Sequence, residues 1–336
     1  MSPATADLAH TNLPGTDLRV SRVAFGCMST VANPTYDGIE FDQAVATIHA
    51  ALDHGMNFID TAPAYGNGAS EELLGRALKG KRDQAVIATK ASGQTLTASE
   101  IETDCETSLR LLDTDVIDLY QIHWPRRQAP LEETFAAMEK LQAAGKVRYL
   151  GVCNFGKLDL EEALGLATIQ TNQVIYSMLS RAVEFDVAPR CVEAGVGLLC
   201  YSPVAQGLLT GRYNSADEVP VGRARTRHFA SSRPEARHTE PGCEEETFAA
   251  IAAIRSVSER LDRPMAQVAL AWLLHQPGVT SVLAGASRPD QVASNAAAAT
   301  LQFDEATLAE LDAATATVKD KLGSSLDIWA TEARTR

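Results

Sequence analysis

The chain has 336 residues, 45% hydrophobic and 22% charged, and its 30 basic and 43 acidic side chains give a formal charge of −13 at pH 7. This apolar fraction is typical of a folded globular protein and excludes a disordered chain. The acidic balance argues against a nucleic-acid partner, and the most apolar stretch, residues 268–274, is far shorter than the roughly 20 residues of a membrane-spanning helix.

The N-terminal residues have neither a basic start nor an apolar stretch, so we expect no secretory signal peptide. The six cysteines are scattered, and no two have C-x-x-C or zinc-site spacing. Free thiols in a chain of this length indicate a reducing compartment. We therefore expect a cytoplasmic protein without a metal site or a membrane partner.

Extended segments come first along the chain. Residues 12–20 hold a Pro-Gly turn between two extended pieces, which predicts a β-hairpin that closes the bottom of the fold. Short apolar runs follow, each apolar throughout rather than alternating, as in parallel strands covered on both faces. The predicted strands are residues 22–25, 57–60, 85–90, 116–123, 147–152, 173–177, 197–201 and 280–284.

Segments with helical spacing separate these strands. Thr97 and Glu100 form a capping box, and Gly55, Gly145 and Gly195 follow helices where a left-handed residue is needed. The predicted helices are residues 45–56, 97–111, 131–141, 158–166, 187–194, 265–275 and 289–299. Strand–helix alternation of this kind predicts a (β/α)8 TIM barrel, and with no linker visible we expect residues 1–336 to form one domain.

A long irregular segment, residues 207–242, lies between the seventh and eighth predicted strands. Loops longer than about 15 residues are usually functional or disordered. This one contains Arg212, Arg223, Arg225, Arg227, Arg233 and Arg237 against only Asp217, Glu218 and Glu235. A basic loop on an acidic protein predicts an anionic ligand, with an ordinary solvated loop as the alternative.

Four polar side chains follow the carboxyl ends of neighbouring predicted strands, where the active site of such a barrel lies. They are Asp60, Tyr65, Lys90 and His123. We expect Lys90, held by Asp60, to lower the pKa of Tyr65 until the phenol can donate a proton near neutrality. Singly, each residue has a structural explanation, as a cap, packing residue, solvated flank or structural histidine. Their common placement favours acid–base chemistry.

Ordered motifs then carry a resemblance: GMNFIDTAPAYG over residues 55–66, LYQIHW over 119–124, GKVRYLGVCNF over 145–155, YSP over 201–203 and GAS over 285–287. Through them the chain resembles the aldo-keto reductases over residues 12–320. It looks closest to the bacterial branch with sugar and polyol reductases and is similar to potassium-channel β subunits. The resemblance implies a (β/α)8 barrel that reduces aldehydes or ketones with NADPH and without a metal.

The resemblance also implies residue roles. Tyr65 is expected to be the general acid, Lys90 to lower its pKa, Asp60 to hold Lys90, and His123 to orient the carbonyl. The expected cofactor residues are Asn154 and Gln173 at the nicotinamide carboxamide, Tyr201 against its ring, Ser202, Gly207 and Arg212 along the pyrophosphate, and Gly285, Ser287, Gln291 and Asn295 at the adenosine end. Pro203 is also expected to contact the cofactor. Cys153 stands where relatives often have Ser or Thr, and a thiol is the weaker hydrogen-bond donor.

The adenosine end also follows from helix chemistry. Ser287 is expected to cap a helix with Pro289 in its first turn, and a helix N-terminus attracts anions. Arg288 suits a 2′-phosphate, which favours NADP(H) over NAD(H), with an ordinary surface arginine as the alternative.

The expected substrate walls are Met28, Trp124 with Arg126 and Arg127, the arginine-rich loop, and the tail around Trp329. They leave open a sugar or polyol carbonyl and a substrate whose carboxylate or phosphate meets Arg126. The alternative function is an NADP(H)-binding regulatory subunit with slow turnover. A Schiff-base enzyme using Lys90 is disfavoured, because a paired ammonium is a poor nucleophile. The sequence does not predict the oligomeric state.

Overall fold

The computed structural model, which describes residues 10–32 and 37–336, has a closed barrel of eight parallel strands at its centre. The barrel strands are β3 (Val23–Gly26), β4 (Phe58–Asp60), β5 (Val86–Ala91), β6 (Ile117–Ile122), β7 (Val147–Cys153), β8 (Thr171–Ile175), β9 (Gly197–Tyr201) and β10 (Val279–Ala284). Neighbours in the chain are neighbours in the barrel, and β10 closes it by pairing with β9 and β3. The (β/α)8 prediction is confirmed. The prediction of a single domain over the whole chain stays a prediction.

Helices cover the outside of the barrel. They are α1 (Phe41–Asp53), α2 (Ala69–Ala77), α3 (Ala98–Leu111), α4 (Leu131–Ala143), α5 (Lys157–Leu164), α6 (Val187–Ala194), α7 (Glu244–Arg260), α8 (Met265–Leu274), α9 (Pro289–Ala297) and α10 (Glu305–Leu322). The predicted helices are present, whereas α2, α7 and α10 are additional. The signal for α7 was present, because Ile251, Ile254 and Val257 recur at helical spacing and are buried.

The predicted helix ends are also present, with one difference. Thr97 caps α3 by accepting a hydrogen bond from the Glu100 N–H, and Gly55, Gly145 and Gly195 have φ values of 76°, 75° and 69°. The Glu100 carboxylate instead accepts from the backbone N–H groups of the preceding turn, at 2.9 and 2.7 Å. It therefore fastens the loop that leads into α3.

A hairpin closes the amino-terminal end of the barrel, as predicted. Strand β1 (His10–Asn12) pairs antiparallel with β2 (Arg19–Ser21). Its buried residues Leu13 and Leu18 pack against inward-facing side chains of several barrel strands. These barrel residues are Ala24, Phe58, Ala88, Leu119, Leu199 and Leu283. The barrel interior is therefore a filled core that opens only at the other end.

The predicted sixth strand, residues 173–177, begins two residues too late. The observed β8 starts at Thr171, and its polar residues Thr171 and Asn172 are buried. The Asn172 Nδ2 donates to the Phe155 carbonyl oxygen at 2.8 Å, which satisfies its amide inside the fold. A rule that seeks apolar runs misses a strand whose polar side chains are internally paired.

The long loop between β9 and α7 folds into short 3-10 turns, and several of its arginines are used internally. Arg233 pairs with Asp217 at 3.1 Å and with Glu244 at 3.0 Å, and Arg227 pairs with Glu240 at 3.2 Å. Only part of the loop's positive charge is therefore available to a ligand.

Within the described ranges, no helix is long and apolar enough to cross a membrane, and no cluster of His, Cys, Asp or Glu could hold a metal ion. The six cysteines are all buried free thiols.

Replacement of Leu13 by alanine tests the hairpin's packing. Leu13 is fully buried in the barrel interior, so the cavity should lower the free energy of unfolding by about 2–5 kcal/mol in urea denaturation. The matched change Leu158→Ala removes the same atoms from a side chain that is 55% exposed and should cost less than about 1 kcal/mol. Equal losses of unfolding free energy in the two variants would contradict the packing of the hairpin inside the barrel.

Candidate functional site

A buried ion pair joins two neighbouring barrel strands at the open end. Asp60 is the last residue of β4, Lys90 lies in β5, and both side chains are almost fully shielded from solvent. The Lys90 Nζ lies 2.9 and 2.8 Å from the Asp60 carboxylate oxygens and 2.7 Å from the Thr61 carbonyl oxygen. Burial lowers the pKa of Lys90, but the nearby Asp60 carboxylate outweighs this and raises it overall. Lys90 is therefore a fixed cation.

The Tyr65 side chain reaches this ion pair from the turn after β4. Lys90 Nζ donates to the Tyr65 hydroxyl oxygen at 3.4 Å, which leaves the phenol's own hydrogen free to point elsewhere. Burial raises the pKa of Tyr65 to about 12, although Lys90 acts to lower it. The expectation of a Tyr65 pKa lowered toward neutrality is therefore wrong, because desolvation of the phenolate outweighs the lysine cation.

His123 faces Tyr65 from the end of β6. The two rings meet edge to face, with centroids 6.1 Å apart. Burial, together with the cations of Lys90 and Arg126, lowers the pKa of His123 to about 3, so the imidazole is neutral near pH 7. Its Nδ1 lies 2.9 Å from the Ser92 hydroxyl oxygen. Because the ring is neutral, it has one N–H, which lies on the nitrogen that does not accept a hydrogen bond.

Asn154, Gln173 and Tyr201 extend the same hydrogen-bonded cluster. Gln173 Nε2 donates to Asp60 Oδ1 at 2.8 Å, and the backbone N–H of Asn154 donates to the Gln173 carbonyl oxygen at 2.8 Å. The Tyr201 hydroxyl donates to Asn154 Oδ1 at 2.8 Å, while Asn154 Nδ2 donates to the His123 carbonyl oxygen at 3.0 Å. The structure therefore brings these three predicted cofactor residues into direct connection with the catalytic candidates.

Asn154 holds its place in a left-handed backbone conformation, with φ 61°. Such strain in a residue other than glycine is common at functional sites. The preceding Cys153 is buried, and burial raises the pKa of its thiol well above the ordinary value. This side chain is therefore a neutral thiol.

A turn with several left-handed residues follows β9. Positive φ values occur at Ser202 (53°), Ala205 (47°), Gln206 (54°) and Gly207 (101°). Turns of this kind bring backbone N–H groups together in concavities that suit anions, and in this one the N–H groups of Ala205 and Gly207 already donate to carbonyl oxygens of the turn, both at 2.9 Å. The Gln206 Oε1 is buried and has no hydrogen-bond partner among the described residues. An unmatched acceptor beside such a turn fits a ligand group that donates a hydrogen bond, such as a hydroxyl.

The structure separates the other predicted residues of this segment. Pro203 is buried, Arg212 is exposed, and Arg223 lies against the turn. A Cβ on Gly207 would lie 3.3 Å from Arg223 Nη1, which shows how closely this guanidinium approaches. Arg223 is thus better placed than Arg212 to meet an anion at the turn.

Polar side chains tie together the loop between β10 and α9. Gln291 Oε1 accepts from the Ser287 N–H at 2.8 Å and from the Ser287 hydroxyl at 3.1 Å. Asn295 Nδ2 donates to the Gly285 carbonyl oxygen at 3.2 Å. The four predicted residues therefore lie together at the start of α9.

The predicted cap of this helix is off by one residue. Arg288, not Ser287, is the N-cap of α9, because Pro289 at the first helical position favours an extended preceding residue. The Arg288 side chain is exposed and donates to Asp290 at 3.0 and 3.1 Å. The guanidinium that was expected at a 2′-phosphate is therefore paired with a carboxylate in this state.

Aromatic side chains line the mouth above these groups. Trp124 meets Trp329 edge to face with centroids 6.3 Å apart, and Trp329 lies nearly parallel to Tyr201 at the same centroid separation. Arg334 lies over the Trp124 ring, 3.8 Å from its centroid. Met28, the other predicted wall residue, is 37% exposed after β3.

A protein-family model described as the aldo/keto reductase family matches residues 22–316. The chain belongs to the aldo/keto reductase family. It is 32% identical over 300 residues to Aldo-keto reductase YhdN of Bacillus subtilis, covering 85% of this chain and 87% of that relative. It is 31% identical to the NADH-specific methylglyoxal reductase of Escherichia coli, covering 87% and 93%. A probable voltage-gated potassium channel subunit beta of Arabidopsis thaliana is 29% identical, covering 86% and 90%.

Solved structures of other aldo/keto reductases share this fold. The glycerol dehydrogenase of Gluconobacter oxydans has a TM-score of 0.79 at 31% identity, covering 92% of this chain and 95% of that one. An aldo/keto reductase of Klebsiella pneumoniae in complex with NADP and acetate has a TM-score of 0.71 at 30% identity, covering 89% and 93%. The predicted resemblance is confirmed.

Sequence reasoning missed three contacts of this aldo/keto reductase site. They are the Ser92 hydroxyl at His123, the Thr61 carbonyl at Lys90, and Arg334 over Trp124. The first could have been suspected, since Ser92 follows the strand that carries Lys90. The other two depend on the path of the backbone, for which the sequence holds no direct signal.

Replacement of Lys90 by methionine tests the ion pair. It leaves the Asp60 carboxylate buried without its cation and should lower the free energy of unfolding by about 3–5 kcal/mol. The double variant Lys90→Met/Asp60→Asn removes both charges yet keeps an acceptor for Gln173, so it should recover more than half of the loss. Chemical denaturation measures both. A loss in the double variant that equals the sum of the losses in Lys90→Met and in Asp60→Asn alone would contradict a coupled buried pair.

Proposed function

We propose that the protein is an NADP(H)-dependent oxidoreductase that reduces an aldehyde or ketone to an alcohol, with Tyr65 as the general acid. The observation that carries the proposal is the Tyr65 hydroxyl beside the buried Lys90–Asp60 pair, with the neutral His123 facing it. Membership of the aldo/keto reductase family supports carbonyl reduction in general. Carbonyls derived from sugars or polyols are within the proposed range, since one structural relative is a glycerol dehydrogenase.

Two donors converge on the proposed carbonyl oxygen. Lys90 occupies the Tyr65 oxygen as a donor, so the phenol O–H is left to bind the substrate. His123 adds a second donor if Ser92 donates to Nδ1, because the ring N–H then lies on Nε2. Preorganised donors of this kind stabilise the negative charge that develops on the oxygen. A bound reduced nicotinamide supplies the hydride for the carbonyl carbon.

The raised pKa of Tyr65 is compatible with proton donation. A pKa of about 12 keeps the phenol protonated across physiological pH, so the acid form is always available. An alkoxide is a much stronger base than a phenolate and takes this proton readily. The Lys90 cation then stabilises the phenolate until solvent reprotonates it.

The cofactor assignment rests on the residues around the mouth. Asn154, Gln173 and Tyr201 are proposed to hold the nicotinamide, and the turn at Ser202–Gly207 with Arg223 the pyrophosphate. The loop of Gly285, Ser287, Gln291 and Asn295 is proposed for the adenosine end, where Arg288 would exchange Asp290 for a 2′-phosphate. The Klebsiella relative was crystallised with NADP, whereas the E. coli methylglyoxal reductase is NADH-specific.

The alternative is a regulatory subunit that binds NADP(H) and turns over slowly, which the Arabidopsis relative favours. A kcat of about 1 s⁻¹ or more with any aldehyde or ketone supports the enzyme. Tight cofactor binding with negligible turnover of a broad carbonyl panel supports the alternative.

Replacement of Tyr65 by phenylalanine tests the general acid. The variant should bind NADPH with an unchanged Kd in fluorescence titration but lose about 10²–10⁴-fold in kcat, the usual contribution of acid–base catalysis. The matched control Tyr149→Phe removes a hydroxyl that bonds to Asp17 in the chain before β2, at the closed end of the barrel. Wild-type turnover in the Tyr65 variant would refute the assignment.

Replacement of Ser92 by alanine tests how His123 is positioned. Loss of a hydrogen bond of about 1 kcal/mol should lower kcat/KM about fivefold without changing the NADPH Kd. Nitrogen-15 NMR of His123 should shift toward a mixture of tautomers, and Ser92→Thr, which keeps the hydroxyl, should restore both readouts. An unchanged tautomer in the alanine variant would contradict this role.

A further inference from the structure

A cavity of about 200 Å³ at the barrel mouth combines aromatic walls with arginines. It is lined by Trp124, Trp329, Arg225, Arg237, Arg334 and Glu235. These residues come from three separate segments of the chain: the end of β6, the arginine-rich loop and the tail after α10. The cavity therefore depends on the fold, and no single sequence motif predicts it.

This cavity adjoins the proposed reaction centre. Trp124 directly follows His123, and Trp329 lies parallel to Tyr201, whose hydroxyl bonds to Asn154. Trp329 therefore lines the cavity and also packs against a residue of the proposed site.

Positive charge prevails at this mouth. The Arg334 guanidinium already forms an ion pair, because it donates to the buried Asp327 carboxylate at 2.6 and 3.0 Å. Arg126 lies two residues after Trp124 in the chain, and its cation helps to lower the pKa of His123. Among the carboxylates that the structure describes, none forms an ion pair with Arg126 or Arg237.

The net charge of the protein is opposite in sign to the charge of this cavity. The whole chain has a formal charge of −13, yet three of the six residues that line this cavity are arginines, Arg225, Arg237 and Arg334, and one is a carboxylate, Glu235. A cleft lined by one sign of charge raises the local concentration of ligands of the opposite sign. Guanidinium groups also bind carboxylates and phosphates through paired hydrogen bonds.

We propose that the preferred substrates carry an anionic group, a carboxylate or a phosphate, a few bonds from the reacting carbonyl. The arginines of the mouth bind the anion, and Trp124 and Trp329 pack against the carbon chain between the two ends. This inference rests on the proposed carbonyl reductase function and names the substrate class of that same site.

Matched substrate pairs test the preference. The first pair is 4-oxobutanoate and butanal, and the second is glyceraldehyde 3-phosphate and glyceraldehyde, so each pair differs in the anionic group. The wild-type protein with NADPH should give a kcat/KM at least about tenfold higher for one or both anionic members. The pair with the larger ratio tells carboxylate from phosphate. The ratio should shrink as salt is raised from about 0.02 to about 0.5 M, since salt screens exposed charges.

Arginine variants locate the preference. Arg237→Gln and Arg126→Gln should each lower the anionic-to-neutral ratio of kcat/KM by about threefold or more. The matched variant Arg260→Gln removes a cation that pairs with Glu310 on the outer helices and should leave the ratio unchanged. The Kd for NADPH is measured in each variant. A rise in that Kd with an unchanged ratio would show that the arginines serve cofactor phosphates and would overturn the inference.

The failures of the two proposals are distinguishable. Reduction of neutral and anionic members with equal kcat/KM would refute the anion preference and leave the carbonyl reductase intact. No turnover of any carbonyl compound, despite NADPH binding, would refute the proposed function and the inference together.

Discussion

The buried ion pair between Lys90 and Asp60 is the interaction on which the open end of the barrel depends. Neither charge is solvated, so each is tolerable only while the other stays within hydrogen-bonding distance. Strands β4 and β5 are neighbours, which fixes that distance, and Gln173 adds a third support from β8, across the barrel. The hairpin fills the opposite end with apolar side chains, so the barrel below the two charges is a packed core.

The same burial sets the protonation of the neighbouring groups. It keeps the proton on Tyr65 and keeps His123 neutral, so the mouth offers hydrogen-bond donors rather than an ionised base. The chain of contacts from Asp60 through Gln173 and Asn154 then links these donors to Tyr201. In the proposed reaction, orientation of cofactor and substrate and supply of the proton therefore depend on one connected network.

Much of this arrangement could be predicted from sequence, and the exceptions share a physical cause. Strands that are apolar on both faces and the four polar residues at their ends are visible as patterns, because barrel topology brings strand ends together. The start of β8 was missed because Thr171 and Asn172 satisfy their polar groups internally. The predicted direction of the Tyr65 pKa shift was wrong. The shift is the difference between the effect of desolvation and the effect of the Lys90 cation, and desolvation depends on how deeply the phenol is buried. The approach of Arg223 to Gly207 likewise depends on the path of a loop.

The ionisation of Tyr65 tests this account most directly. Carbon-13 NMR of protein labelled at the tyrosine Cζ reports the state of each phenol, and the Tyr65 resonance is assigned by its loss in the Tyr65→Phe variant. Ordinary tyrosines are half ionised near about pH 10. The account predicts that Tyr65 is still a phenol at that pH, because burial outweighs the Lys90 cation. Ionisation of Tyr65 below about pH 9 would show that the cation prevails and would contradict the account.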